Sequence, residues 1–150
     1  MSDRLTDSPR DTPSGATPDN QAGGTSDPQT DALSTWMTAY RRAWESNDPA
    51  DIGALFTDDA VYYKEPFTEP LRGRDAIIAM WHENQDAPGT PKFTWKPLSV
   101  MDGLAFVQGE TDYATVRYSN LWVIRLAVDG GGVVRATEFT EWWMDQSKPS

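Results

Sequence analysis

The chain has 150 residues, a formal net charge of −10 and no cysteine. That balance withholds the basic face a nucleic-acid-binding domain needs and disfavours attachment to anionic membrane surfaces. The missing thiols exclude a disulfide framework, a thiolate zinc site and a cysteine nucleophile, and the single histidine, His82, excludes any site built on two imidazoles.

No apolar run approaches the ~18 residues of a membrane span, and residues 1–31 lack the apolar stretch of a signal peptide. The expected location is cytoplasmic. Residues 1–31 hold six Asp, two Arg and no aromatic residue. Such a segment buries too little apolar surface to offset its ordering entropy, so a disordered acidic tail is expected there, with one domain over 32–150.

Asp31 is a candidate N-cap for a first helix running to about Asn47. Trp36, Tyr40 and Trp44 recur at four-residue spacing on one face, widened by Ala32, Met37 and Ala43. Asn47-Asp48-Pro49 ends that helix and starts a short second one, with Asp48 as cap and Pro49 at the first helical position. Thr57-Asp58-Asp59 reads as a turn, residues 60–64 as a strand, and Pro66 and Pro70 bracket a loop. A third helix is predicted over 74–85, with Ile77, Ile78 and Trp81 buried.

After Ala87-Pro88-Gly89 the apolar period changes to two. Strands are predicted over 92–101, 104–115, 119–128 and 133–143, the first pair joined by an Asp102-Gly103 hairpin turn. Three helices followed by mostly antiparallel strands give an α+β order, and a curved sheet wrapped around helices leaves a conical cavity at one end.

Several separated motifs occur in an order that resembles the nuclear transport factor 2-like superfamily, and within it the SnoaL-like branch. They are Tyr40 to Trp44, Asn47-Asp48-Pro49-Ala50-Asp51-Ile52, Leu55 to Tyr62, Glu65-Pro66-Phe67, Arg72 to Ile77 with Trp81, Asn120-Leu121-Trp122, and Glu138 to Trp143. The resemblance spans roughly 32–145. It implies three N-terminal helices packed in a strongly curved, mostly antiparallel sheet, a cone-shaped α+β barrel with a deep pocket, and pairing into homodimers through the outer sheet face. Set against ketosteroid isomerase, it puts Tyr40 at the oxyanion-holding tyrosine and Glu65 near the base, or Lys64 there if the preceding strand is one residue shorter. Trp122 or Val123 stands where the oxyanion acid belongs, so steroid isomerisation itself is not expected.

The same alignment turns Gln108, Glu110 and Asp112 inward on one strand, Asn120 and Trp122 on the next, and Ala136, Glu138, Thr140 and Trp142 on the last. The opposite parity, with Val107, Thr111 and Tyr113 inward, stays open, because one bulge reverses part of a strand. A carboxyl group in an aromatic cavity is desolvated, its pKa rises, and it becomes a general acid or base near neutral pH. The candidates for that role are Glu138 and Asp112, then Glu65, with Tyr40 as oxygen-polarising donor. Trp44, Tyr62, Trp81, Gln108, Glu110, Asn120, Trp122, Thr140 and Trp142 are the candidate ligand contacts.

For Glu138 the competing role is a partner for Arg125; for Asp112 and Glu110, a place on a solvated edge. His82 is read as structural, and no cofactor or metal is expected. Two function classes follow. One is cofactor-free acid–base chemistry of isomerase, cyclase, dehydratase or hydrolase type on a small apolar or aromatic molecule. The other is a binding or dimerisation module of the same fold without chemistry.

Overall fold

A computed structural model of the chain describes residues 27–84, 92–113 and 115–147. The acidic segment through residue 26 therefore lies outside the described residues, as does the Ala87-Pro88-Gly89 breaker.

The first helix, α1 (Pro28–Ser46), starts earlier than predicted. Asp27 caps it by accepting from the Gln29 amide, and Pro28 fills the first helical position. Asp27-Pro28 is thus the same device as Asp48-Pro49, and Asp31 instead places its charge in the positive first turn. Gln29 also accepts from the Gly103 amide at 3.0 Å, tying this extra turn to the sheet. Asn47 closes the helix in the left-handed region at φ 54°. Asp48 then caps α2 (Pro49–Gly53) as predicted.

Strand β1 (Phe56–Tyr63) takes in Thr57-Asp58-Asp59, which the sequence reads as a turn. The register against its neighbour slips between Phe56 and Val61, so these polar residues bulge outward while the chain stays extended. Phe56 is held because its carbonyl accepts from Arg74 Nε and Nη2 at 3.1 and 2.8 Å. The expected loop contains a two-residue strand, β2 (Leu71–Arg72), antiparallel to β1. α3 (Arg74–Glu83) follows.

Four long strands complete the chain: β3 (Lys92–Met101), β4 (Leu104–Tyr113), β5 (Val116–Val128) and β6 (Val134–Asp145). Asp102 and Gly103 both take positive φ, 53° and 81°, which is what a two-residue turn matching strand twist requires. The single sheet has the order β2-β1-β6-β5-β4-β3; β1 runs parallel to β6 and the other pairs are antiparallel. Three helices against a curved, unclosed six-stranded sheet is the expected α+β cone.

One end of the cone is filled. Trp36, Phe56, Phe139, Trp122 and Ile124 are buried there. Trp36 donates its indole hydrogen to the Leu55 carbonyl at 2.9 Å, so its polar atom is satisfied inside the core. Phe139 stacks on Tyr62 with ring centroids 4.7 Å apart and on Tyr40 at 5.8 Å. Gly109 lies flat over Trp122: a Cβ at that position would overlap the indole ring. That close approach is why β4 carries a glycine in mid-strand.

Candidate functional site

The other end of the cone is open. α1 delivers Tyr40 and Trp44, and its capping residue Asn47 stands beside them. β1 and the residues after it bring Tyr62, Lys64 and Glu65, and α3 brings Met80, Trp81 and Asn84. The sheet contributes Thr111, Tyr113, Tyr118, Asn120, Glu141 and Trp143. Together they surround a pocket of about 510 Å³, within the range of small-molecule sites.

Glu141 is the half-buried acid of this pocket. It keeps partial exposure, and it lines the cavity. Burial pushes its carboxyl up to about 7, opposed by the Trp122 indole and the Asn120 amide. Asn120 Nδ2 donates to Glu141 Oε2 at 3.1 Å. Thr111 Oγ1 donates to Asn120 Oδ1 at 2.8 Å. That bond occupies the amide oxygen and turns the amide nitrogen toward the acid. Trp122 Nε1 stands near enough to favour the ionised carboxylate but makes no hydrogen bond of good geometry, a buried donor without a partner.

Two phenols face the same acid. Burial first, then Tyr62, Glu141 and Tyr113, holds the Tyr40 hydroxyl well above the usual phenol range. Burial and Glu141 raise Tyr62 in the same way, while a hydrogen bond from Trp81 pulls in the other direction. Both hydroxyls stay protonated at neutral pH and serve the site as hydrogen-bond donors. The site therefore combines protonated donors with one carboxyl group poised to gain or lose a proton at neutral pH.

Of the residues predicted from sequence, Tyr40, Trp44, Tyr62, Glu65, Trp81 and Asn120 line the pocket, and so does Lys64, the alternative to Glu65. The others lie elsewhere. Trp122 is a core residue behind the site. Asp112 faces solvent and pairs with Arg117 at 3.2 Å. Glu138 is on the outer face, 3.3 Å from Arg125, the competing role named for it. Gln108 and Glu110 lie on the outer face of β4, and Trp142, 49% exposed, lies with Thr140 on the outer face of β6.

The inward residues of β4 are Ala105, Val107, Thr111 and Tyr113, the opposite parity to that drawn from the alignment. Plain polarity signals it, since the alternate set ends in Gln108, Glu110 and Asp112. On β6 the cause is a bulge. Arg125 faces Glu138 while the next residue, Leu126, faces Ala136, leaving Thr137 as the extra residue. Ala136 points inward as predicted, but beyond the bulge the inward positions are Phe139, Glu141 and Trp143. Nothing local marks Thr137 as the extra residue, so the sequence pattern does not point to Glu141.

His82, exposed on α3, reaches the Asn47 carbonyl at 3.2 Å and belongs to the pocket wall only through Asn47. Among the described residues no three His, Cys, Asp or Glu side chains cluster as a metal would require, and no helix is long and apolar enough to cross a membrane.

The family described as the SnoaL-like domain matches residues 37–143. A comparison with curated proteins gave no match. Among solved structures, a nuclear transport factor 2-like protein of unknown function from Silicibacter pomeroyi is 24% identical. The match covers 77% of this chain and 95% of that one, with a TM-score of 0.55. A ketosteroid isomerase-like protein from Erwinia carotovora is 18% identical over 79% and 96% of the two chains, TM-score 0.58. Nuclear transport factor 2 from Cryptosporidium parvum is 15% identical over 77% and 94%, TM-score 0.61. At these identities the shared property is the fold. That it serves an isomerase-like protein and a transport factor alike leaves function to the site.

Proposed function

The chain belongs to the SnoaL-like domain family, and on that premise we propose that its pocket binds a small, largely apolar molecule and performs cofactor-free acid–base chemistry on it. Glu141 is the group that moves the proton, and Tyr40 and Tyr62 donate hydrogen bonds to an oxygen of the bound molecule. The observation that carries this reading is the setting of Glu141: a carboxyl group held at about 7 inside an aromatic pocket, steered by Asn120 and facing phenols that remain protonated. The reaction class is that of an isomerase, cyclase, dehydratase or hydrolase. Glu65, partly buried at the pocket wall, is a second acid within the site.

The test compares wild type with Glu141→Gln against aromatic ketones, lactones and epoxides. Tryptophan fluorescence reads binding and product analysis reads turnover. Binding retained with turnover lost supports the assigned role. Turnover undiminished in Glu141→Gln overturns it, and binding without turnover in either protein leaves a binding module.

A second reading, pairing of two copies, draws support from the outer sheet face. Phe106, Leu121, Val123, Trp142 and Met144 share that face through the registers of β4, β5 and β6, and Trp142 and Met144 are largely exposed. We read this face as a homodimer surface of a cytoplasmic protein. A melting temperature that rises with protein concentration supports it; a monomer by light scattering at all concentrations removes it.

A further inference from the structure

The five ion pairs among the described residues each join an Asp or Glu to an arginine: Asp51 to Arg42, Asp58 to Arg74, Asp112 to Arg117, Asp129 to Arg135 and Glu138 to Arg125. All lie at least partly in solvent. Among the described residues Glu141 has no such partner. Asn120 donates its amide hydrogen to it, and the Trp122 indole and the Tyr40 and Tyr62 phenols stand near enough to interact with its charge. Thus cations neutralise acids that water already solvates, and the acid that burial penalises is left without one. A buried carboxylate lacking a counter-charge is costly, and a bound cation relieves that cost directly.

The walls match this charge. Tyr40 meets Trp81 edge to face at 5.6 Å and Trp44 at 5.8 Å on the helical side. Across the pocket Tyr118 meets Tyr113 and Trp143, each at 5.7 Å. Aromatic rings attract ammonium groups as well as apolar bodies; Tyr40 is itself stacked on Trp36 and Phe139, so it offers a ligand its hydroxyl and leaves ring contact to the outer rings of the pocket. The net charge of −10 favours the approach of cations over that of anions.

We propose that the pocket takes an organic cation, a small molecule whose protonated amine nitrogen pairs with the Glu141 carboxylate while its apolar body lies against the tyrosine and tryptophan rings. The inference rests on the reading of the pocket as a small-molecule site and narrows its ligand to a class. When a neutral amine meets the protonated acid, the proton passes from the carboxyl oxygen to the amine nitrogen, leaving a carboxylate and an ammonium in contact.

The titratable groups that share the pocket with Glu141 are Tyr40 on α1, Tyr62 on β1, Tyr113 on β4 and Tyr118 on β5; Lys64 and Glu65 line it farther along the chain from β1. His82, on α3, hydrogen-bonds Asn47 instead. Lys64 is exposed and is the one cation among the described lining residues.

The test titrates the full chain with benzylamine, benzyl alcohol and benzoate, three probes of one size and three charges. At pH 8 benzylamine should bind about tenfold or more tighter than benzyl alcohol, the scale of a desolvated cation contact. Below pH 6, where benzylamine is still protonated but Glu141 is not ionised, that preference should fall away. Glu141→Gln should abolish it at both pH values, with near-ultraviolet circular dichroism verifying an intact fold. The pH titration of wild type stands by itself if the variant does not fold.

Equal binding of benzyl alcohol or benzoate overturns the cation while the pocket remains a small-molecule site. So does a preference for benzylamine that persists below pH 6 or in Glu141→Gln. No binding by any of the three overturns both.

Discussion

The two faces of the sheet handle acidic side chains in opposite ways. On the outer face Glu138 and Asp112 sit in water beside Arg125 and Arg117, where a pair gains little because both charges were already solvated. On the inner face Glu141 is held among rings with an amide donor and, among the described residues, no ion-pair partner, and its carboxyl rises to about 7. Glu138 and Glu141 are three residues apart on one strand. What separates a surface ion pair from a proton-carrying group is therefore the direction the side chain points, which fixes how much water it loses.

That contrast can be broken first at the inner face's apolar half. Phe139 is the ring on which both phenols stack, and it is buried. Phe139→Ala should cost about 3–5 kcal/mol in chemical denaturation and loosen the pocket with the core. A loss below about 1 kcal/mol would mean that the filled end does not support the open one.

Glu141→Gln comes next, and its sign depends on pH. Below the ordinary glutamate range both folded and unfolded chains hold the proton and the residue contributes nothing. Between that range and about 7 the unfolded chain releases a proton that the folded chain keeps, so wild-type stability falls as pH rises. Above 7 both are ionised and the full cost of the buried charge remains. Removing the charge should thus stabilise the protein at pH 8 by up to about 3 kcal/mol and change little at pH 4. Unfolding curves of the two proteins across that range measure the difference. A gap that does not grow with pH would show that Glu141 is well solvated.

The smallest effect belongs to the outer face. Glu138→Gln should shift stability by no more than about 1 kcal/mol at pH 7, with the difference shrinking in high salt. A larger loss would make the outer pair a structural element and erase the distinction between the faces.

Much of this was legible in the chain itself. Asp48-Pro49, the Trp36–Tyr40 spacing and Asp102-Gly103 are local devices whose geometry is set by neighbours within a few residues, and they appear where the pattern places them. Tyr40, Tyr62 and Trp81 reach the pocket for the same reason: a helix face or an adjacent strand position carries them there. Asp27-Pro28 is equally local, but it lies inside a stretch whose overall composition reads as a tail, and composition outweighed the cap.

The inward acid was not legible, because strand parity is not a local property. Alternation says which residues share a face and not which face is inside, and one extra residue at Thr137 exchanges the two halves of β6. Sequence alone determined the α+β cone, its aromatic wealth and its lack of thiols. Only the assembled sheet decided that Glu141 rather than Glu138 enters the pocket, since the bulge is defined by pairing with β5, and the carboxyl shift follows from the burial that this pairing imposes.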